Sequence, residues 1–118
     1  MKWRLPFLSI FGSKPSSNGE HAVLVWFRYG STDLARLVAV EEQLEEAINL
    51  SGTGEFDGNE VAVDGSDGRL YMYGPNADKL FDVIVPVLRT ADFMRGAQVT
   101  RRYGPPGDST RAVTITLE

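Results

Sequence analysis

The chain has 118 residues, a length typical of one domain, and its 42% hydrophobic and 24% charged residues are ordinary for a globular protein. It contains no cysteine, which excludes disulfide scaffolds, zinc–thiolate sites, iron–sulfur clusters and thiol nucleophiles. Its single histidine, His21, excludes a multi-histidine metal site within one chain. The formal charge of −4 argues against binding to nucleic acid or to an anionic membrane.

The first 19 residues differ in composition from the rest of the chain. The apolar run at residues 5–11 is interrupted by Pro6 and Ser9, and it is too short for an export signal or a transmembrane helix. Glycine, serine and proline dominate residues 12–19, as in linkers. We therefore predict an apolar arm and linker over residues 1–19, a single domain over residues 20–118, no transmembrane segment and a cytoplasmic location.

Three elements follow the linker in the predicted order strand, helix and hairpin. Residues 22–29 are rich in β-branched and aromatic side chains, which predicts a strand partly covered on both faces. Apolar residues then recur at helical spacing from Leu34 to Ile48, after Ser31, Thr32 or Asp33 as candidate caps. Residues 56–63 and 69–73 predict two strands, joined by the turn-forming residues 64–68.

The remaining elements complete an α+β pattern. Asn76 is a natural cap for a helix whose apolar stripe runs to Leu88, and Pro86 within it predicts a kink or an early end. Residues 97–103 and 111–117 predict two more strands. The order is β-α-β-β-α-β with an extra C-terminal strand, which predicts a ferredoxin-like fold with two helices on one face of an antiparallel sheet. The sequence leaves open which face the helices cover.

Aromatic residues on the two central strands are the first candidate binding surface. If the aliphatic Leu70 and Met72 meet the helices, then Tyr71 and Tyr73, together with Trp26, project from the helix-free face of the sheet. Three interpretations stay open: self-association of two chains through this face, cover by the apolar arm, or a groove for a small ligand or partner protein. The RNA-recognition motif has a similar layout, but its glycines and phenylalanines are missing here.

An acidic stretch is the second candidate surface. No basic residue lies between Arg36 and Arg69, while that interval holds nine acidic residues. It is either a solvated helix face followed by a turn, or a patch that binds a basic protein partner. The candidate residues of this acidic patch are Glu41, Glu45, Asp57 and Glu60.

The third candidate is a cluster of Arg101, Arg102 and Tyr103, together with Arg95 and Arg111. Alternation places Arg101 and Tyr103 on one face of a strand and Arg102 on the other. Either these charges protect an edge strand from pairing with another chain, or the arginine guanidinium groups bind an anion or a carboxylate. Sequence motifs of nucleophilic, metal-dependent and phosphate-binding catalysis are missing, so we predict no catalytic residue, no metal and no cofactor.

A resemblance supports a non-enzymatic role. The segment from Tyr71 to Phe81, followed by Pro86-Val87-Leu88 and Arg102-Tyr103-Gly104, resembles small uncharacterised bacterial proteins of ferredoxin-like fold. Some of that group are similar to immunity proteins, which neutralise a toxin by binding it. The resemblance implies a bacterial binding domain and supplies no functional residue.

Together these observations predict a non-catalytic binding module, self-associating through the sheet face, that recognises a protein or small ligand. The alternative is a small enzyme of the dimeric α+β barrel type, in which a helix–sheet cavity would place Arg101 and Tyr103 beside an acidic residue.

Overall fold

Five antiparallel strands and two helices make up the domain in the computed structural model, which describes residues 2–4 and 20–118. The predicted apolar arm and linker lie outside the described residues, except that residues 2–4 add a short strand to one edge of the sheet. The elements in chain order are β1 (Lys2–Arg4), β2 (His21–Arg28), α1 (Ala35–Ser51), β3 (Glu55–Ala62), β4 (Asp67–Gly74), α2 (Ala77–Leu88), a 3₁₀ helix (Asp92–Met94), β5 (Gln98–Arg102) and β6 (Ala112–Thr116).

The sheet has the strand order β1-β3-β4-β2-β5-β6, and all neighbouring strands are antiparallel. Strands β2 and β4 therefore lie at the centre, and β6 pairs with β5 as the sequence predicted. Helix α1 packs on α2 and on β3, while α2 contacts β2, β4 and β5. Both helices thus cover the same face, and the α+β class is confirmed.

The apolar core lies between the helices and one face of the central strands. Val23 and Phe27 of β2 have no exposed surface, and neither have Leu70 and Met72 of β4. The register pairs Val23 with Met72, so the two strands present their aliphatic side chains to the same side. The helices therefore cover the face that carries Leu70 and Met72, which answers the question the sequence left open.

The N-cap residue of helix α1 is Leu34, which makes no side-chain cap, so none of the predicted caps Ser31, Thr32 and Asp33 occupies that position. The Asp33 Oδ1 atom accepts a hydrogen bond from the Ala35 amide at 3.0 Å, which satisfies one free donor of the first turn. Gly52 ends the helix with a φ of 67°, and its amide donates to the Ile48 carbonyl. This left-handed conformation favours glycine because it has no Cβ.

Helix α2 is capped by Asn76, whose Oδ1 atom accepts from the Lys79 amide at 3.1 Å. The helix continues through Pro86 and ends at Leu88. Pro86 lies on the exposed side, where water can satisfy the carbonyl that loses its helical partner. No helix among the described residues has both the length and the apolar character that crossing a lipid bilayer demands.

The β3–β4 turn is fixed to the end of β2 by backbone hydrogen bonds. The Tyr29 amide donates to the Ser66 carbonyl, and the amides of Gly30 and Ser31 both donate to the Gly65 carbonyl. Gly65 has a φ of 76°, and an added Cβ would lie 2.1 Å from the Ser31 oxygen, so only glycine fits.

Candidate functional site

The helix-free face of the sheet holds the three aromatic candidates. Trp26 on β2 and Tyr71 and Tyr73 on β4 point away from the helices, and each is half-buried. The register places Leu24 opposite Tyr71 and Trp26 opposite Arg69 across the two central strands. The structure therefore brings these rings together on one side of the molecule.

Trp26 is held in place by a carboxylate. Its Nε1–H donates to the Asp67 Oδ2 atom at 2.9 Å. Trp26 lies near the end of β2, and Asp67 is the first residue of the neighbouring strand β4. The guanidinium of Arg28 lies 5.9 Å from the centre of the indole ring, within reach of a cation–π interaction. The ring therefore has a fixed orientation and keeps part of its surface open.

Tyr71 is held in the same manner. Its hydroxyl donates a hydrogen bond to the Glu60 Oε1 atom on the neighbouring strand β3. Burial raises the pKa of Tyr71 to about 12, and the hydrogen bond and negative charge of Glu60 add to this effect. The phenol stays protonated under ordinary conditions, so Tyr71 acts as a hydrogen-bond donor and an apolar surface and has no role as a base.

A shallow open depression of about 280 Å³ lies between the rings of Trp26 and Tyr71 and strand β5. Its lining consists of aromatic, aliphatic and neutral polar residues with one arginine: Leu24, Val25, Trp26, Arg69, Tyr71, Gln98 and Thr100. Small-molecule sites enclose most of the ligand surface, whereas protein interfaces are broad and combine aromatic residues with arginine. The shape and the composition thus resemble a protein contact surface more than a small-molecule pocket.

The acidic patch predicted from the sequence is not one surface. Glu41 is 3% exposed and Asp57 is 4% exposed, so neither is accessible to a partner. Asp57 falls at an irregularity of β3, where the register shifts between Phe56 and Gly58. Glu45 is exposed on α1, whereas Glu60 lies on the helix-free face of the sheet.

Glu41 instead forms a buried polar pair with Asn59. The amide nitrogen Nδ2 of Asn59 on β3 donates to the Glu41 Oε2 atom on α1 at 2.5 Å. Burial raises the pKa of Glu41 to about 7, the Asn59 hydrogen bond opposes this shift, and Glu45 adds to it by charge repulsion. This pair bridges helix and sheet inside an otherwise apolar layer.

Arg101 and Tyr103 do meet an acidic residue, Asp78 at the start of α2. The Asp78 Oδ1 atom accepts from Arg101 at 3.1 Å and from the Tyr103 hydroxyl at 2.6 Å. The Tyr103 hydroxyl and the Arg101 charge hold the pKa of Asp78 below its usual value, while the Asp78 bond raises that of Tyr103. These shifts oppose proton transfer near neutral pH, so Asp78 and Tyr103 are poor acids and bases.

Of the neighbours of this cluster, Arg111 was expected from the sequence, whereas Phe81 and His21 were not. The guanidinium of Arg111 lies 4.6 Å from the Tyr103 ring centre, and that of Arg101 lies 4.4 Å from the Phe81 ring centre. His21 accepts a hydrogen bond from the Ala77 amide through Nδ1 at 3.0 Å, so it links β2 to the start of α2. The cluster is thus an exposed packing contact between β5 and α2, and its arginines are already engaged.

No group of three or more histidine, aspartate or glutamate side chains in residues 20–118 is arranged to hold a metal ion. Comparison with known proteins gives no match to any family model, to any curated protein or to any solved structure.

Proposed function

We propose that this protein is a non-catalytic binding module that takes up a partner protein on the helix-free face of its sheet. The single observation that supports this most is the group of half-buried rings, Trp26, Tyr71 and Tyr73, on the central strands of that face. Tryptophan, tyrosine and arginine are the residues that contribute most binding energy in protein interfaces.

The fixed ring orientations support the same proposal. Asp67 and Glu60 hold Trp26 and Tyr71 before any partner arrives, so little side-chain freedom remains to be lost on binding. The two carboxylates also argue against nucleic acid as the partner, because they would repel phosphate groups beside the rings on which bases would have to stack.

The resemblance to immunity proteins favours a toxin protein as the partner, in which case binding would neutralise it. Self-association through the same face is a second form of this proposal, with another copy of the chain as the partner. A cytoplasmic location, which was expected from the sequence, and a bacterial source, which the resemblance implies, belong to the proposal as well.

The test is a binding titration with purified components. A partner captured on the immobilised protein is identified and produced, and its affinity is measured for wild type, Trp26→Ala and Glu45→Ala. We expect Trp26→Ala to weaken binding by roughly 30-fold, as for a central interface residue, and Glu45→Ala to change it by less than about twofold. The reverse result would place the interface on the exposed face of α1 and overturn the proposal.

The enzyme alternative rests on the meeting of Arg101, Tyr103 and Asp78. Asp78 is 58% exposed as a side chain, and its oxygen already binds both partners. A helix–sheet cavity was the condition for this alternative, and the aliphatic residues of β2 and β4 that face the helices are buried in the core. We therefore favour the binding module.

We also infer that the fold is ferredoxin-like with one added strand. The antiparallel order β3-β4-β2-β5, with the two helices following β2 and β4, supports this assignment, and β6 is then the addition. A fold assignment of this kind has no bearing on activity.

A further inference from the structure

The two edges of the sheet differ in how they are protected. At one edge β1 lies outside β3, and two of its three residues, Lys2 and Arg4, are basic. At the other edge β6 has the sequence Ala-Val-Thr-Ile-Thr, with no charge, proline or glycine. Natural sheets guard an open edge with charges, prolines or bulges, because unpaired backbone groups invite another strand.

The register identifies the backbone groups of β6 that point outwards. The Tyr103 amide donates to the Arg111 carbonyl, and the Leu117 amide donates to the Ala97 carbonyl. In an antiparallel ladder, hydrogen-bonded pairs alternate with pairs that exchange no hydrogen bonds. The N–H and C=O groups of the odd-numbered residues of β6 therefore point towards β5. The backbone groups of Ala112, Thr114 and Thr116 therefore point away from the sheet.

A side-chain contact supports this register. The Thr114 Oγ1 atom lies 2.7 Å from the Thr100 Oγ1 atom on β5. Side chains approach most closely at pairs that exchange no backbone hydrogen bonds, which places Thr100 and Thr114 at such a pair. Among the strands that the structure describes, β6 pairs with β5 alone.

We propose that β6 pairs with β6 of a second copy of this chain, antiparallel and centred on Thr114. Around that centre, Ala112 of one copy faces Thr116 of the other, so every outward backbone group of the strand finds a partner. The strand is uncharged, so pairing with itself brings no like charges together.

The apolar side chains of β6 fit the same arrangement. Val113 and Ile115 lie on the helix side of the sheet and are only half-buried, since the sheet contacts of α2 are mainly with β2, β4 and β5. In the proposed pairing Val113 of one copy lies opposite Ile115 of the other. Each would cover the other, which extends the apolar layer across the junction.

This pairing goes beyond the proposed function and leaves its surface free. A two-fold axis perpendicular to the sheet keeps the helices of both copies on one side. The two helix-free faces then form one continuous surface on the other side. The dimer would present two sets of aromatic residues side by side.

The test uses sedimentation equilibrium on the whole chain at concentrations up to the sub-millimolar range. We expect the wild type to dimerise, and we expect Thr114→Lys to weaken dimerisation by at least roughly tenfold, because two lysines would meet at the axis. Thr32→Lys is the matched control, since Thr32 is also exposed but lies in the loop between β2 and α1. It should dimerise as the wild type does.

Amide hydrogen exchange provides the second measurement. In the dimer the amides of Ala112, Thr114 and Thr116 should exchange slowly, and they should exchange fast on dilution and in Thr114→Lys. A wild type that stays monomeric would overturn the proposal, as would a dimer in which these three amides stay fast. Loss of the dimer in Trp26→Ala, with Thr114→Lys still dimeric, would likewise overturn it and would support self-association through the sheet face.

Discussion

The covered face and the open face of the sheet fix their polar groups in different ways. Beneath the helices, Glu41 and Asn59 bond to each other inside an apolar layer, and burial disfavours the charged form of the acid. On the open face, Glu60 and Asp67 remain beside solvent and accept hydrogen bonds from Tyr71 and Trp26. The covered face is mainly packed apolar side chains with one buried polar pair, whereas on the open face hydrogen bonds to carboxylates set the orientations of the half-buried rings.

The largest expected difference in the free energy of unfolding is between substitutions of two consecutive residues of β4. Leu70→Ala should lower the free energy of unfolding by about 2–5 kcal/mol, because it opens a cavity in a fully buried layer. Arg69→Ala on the opposite face should change it by no more than about 0.5 kcal/mol, since Arg69 is exposed. Urea denaturation of both variants measures the difference. Equal losses would contradict the view that the two faces differ in their contribution to stability.

The next effect depends on pH and concerns Glu41. The pKa of Glu41 is about 7 in the folded protein and has an ordinary value of 4.5. Between these two pH values the folded chain retains a proton that the unfolded chain releases. The stability that Glu41 contributes is therefore fully present below pH 4.5 and is lost as the pH rises through 7. The loss should approach roughly 3 kcal/mol.

Glu41→Gln tests this directly, because glutamine keeps an oxygen for Asn59 and does not ionise. Urea denaturation of both proteins between pH 4.5 and 8 gives the stability difference, in which contributions from groups that do not interact with Glu41 cancel. We expect the free energy of unfolding of Glu41→Gln, relative to that of the wild type, to increase as the pH rises. A constant difference would mean that Glu41 ionises normally in the folded state.

A smaller effect is expected for Tyr71 on the open face. Tyr71→Phe should cost about 1–2 kcal/mol of folding free energy, because Glu60 loses the hydrogen bond from the phenol. In an ultraviolet pH titration the variant should also lack the tyrosine that ionises near pH 12 in the wild type. Glu60→Gln should shift that tyrosine towards lower pH. An unchanged titration in Glu60→Gln would show that burial alone raises the pKa.

The smallest effect is expected at the exposed cluster on β5 and α2. Asp78→Asn should leave the thermal midpoint close to that of the wild type, because Asp78 is well exposed. It should nevertheless lower the pKa of Tyr103, since the Asp78 carboxylate is the main cause of the increase. A large fall in the midpoint would mean that this cluster contributes to stability in the way the covered face does.

Alternation along β4 separated two sets of side chains but left open which set the helices cover. In the structure the aliphatic Leu70 and Met72 lie beneath the helices, whereas Tyr71 and Tyr73 lie on the other side, which is the case that the candidate surface required. Alternation in β2 could not do this alone, because its apolar residues occupy both faces of a central strand. Pairing with β4 settled the orientation.

The positions of Glu41 and Asp57 could not be predicted from local pattern. Glu41 fits the helical spacing of the buried stripe, yet its charge suggested the surface, and only the distant Asn59 makes its burial tolerable. Asp57 is buried at a register shift, whereas its prediction as a surface residue rested only on its place in a run of acidic residues. The contact between Asp78 and Tyr103 joins residues 25 positions apart, and no sequence signal marks it.

The turn between β3 and β4 has a consequence for how the chain would be cut. Its glycines and exposed aspartate suggest a site that a protease would cleave easily. However, three backbone amides just after β2 donate hydrogen bonds to carbonyls of this turn. Opening this turn requires breaking those bonds first, so the site should be cleaved only in molecules that unfold locally. A protease should instead act on the exposed connection at residues 105–109, which separates β5 from β6.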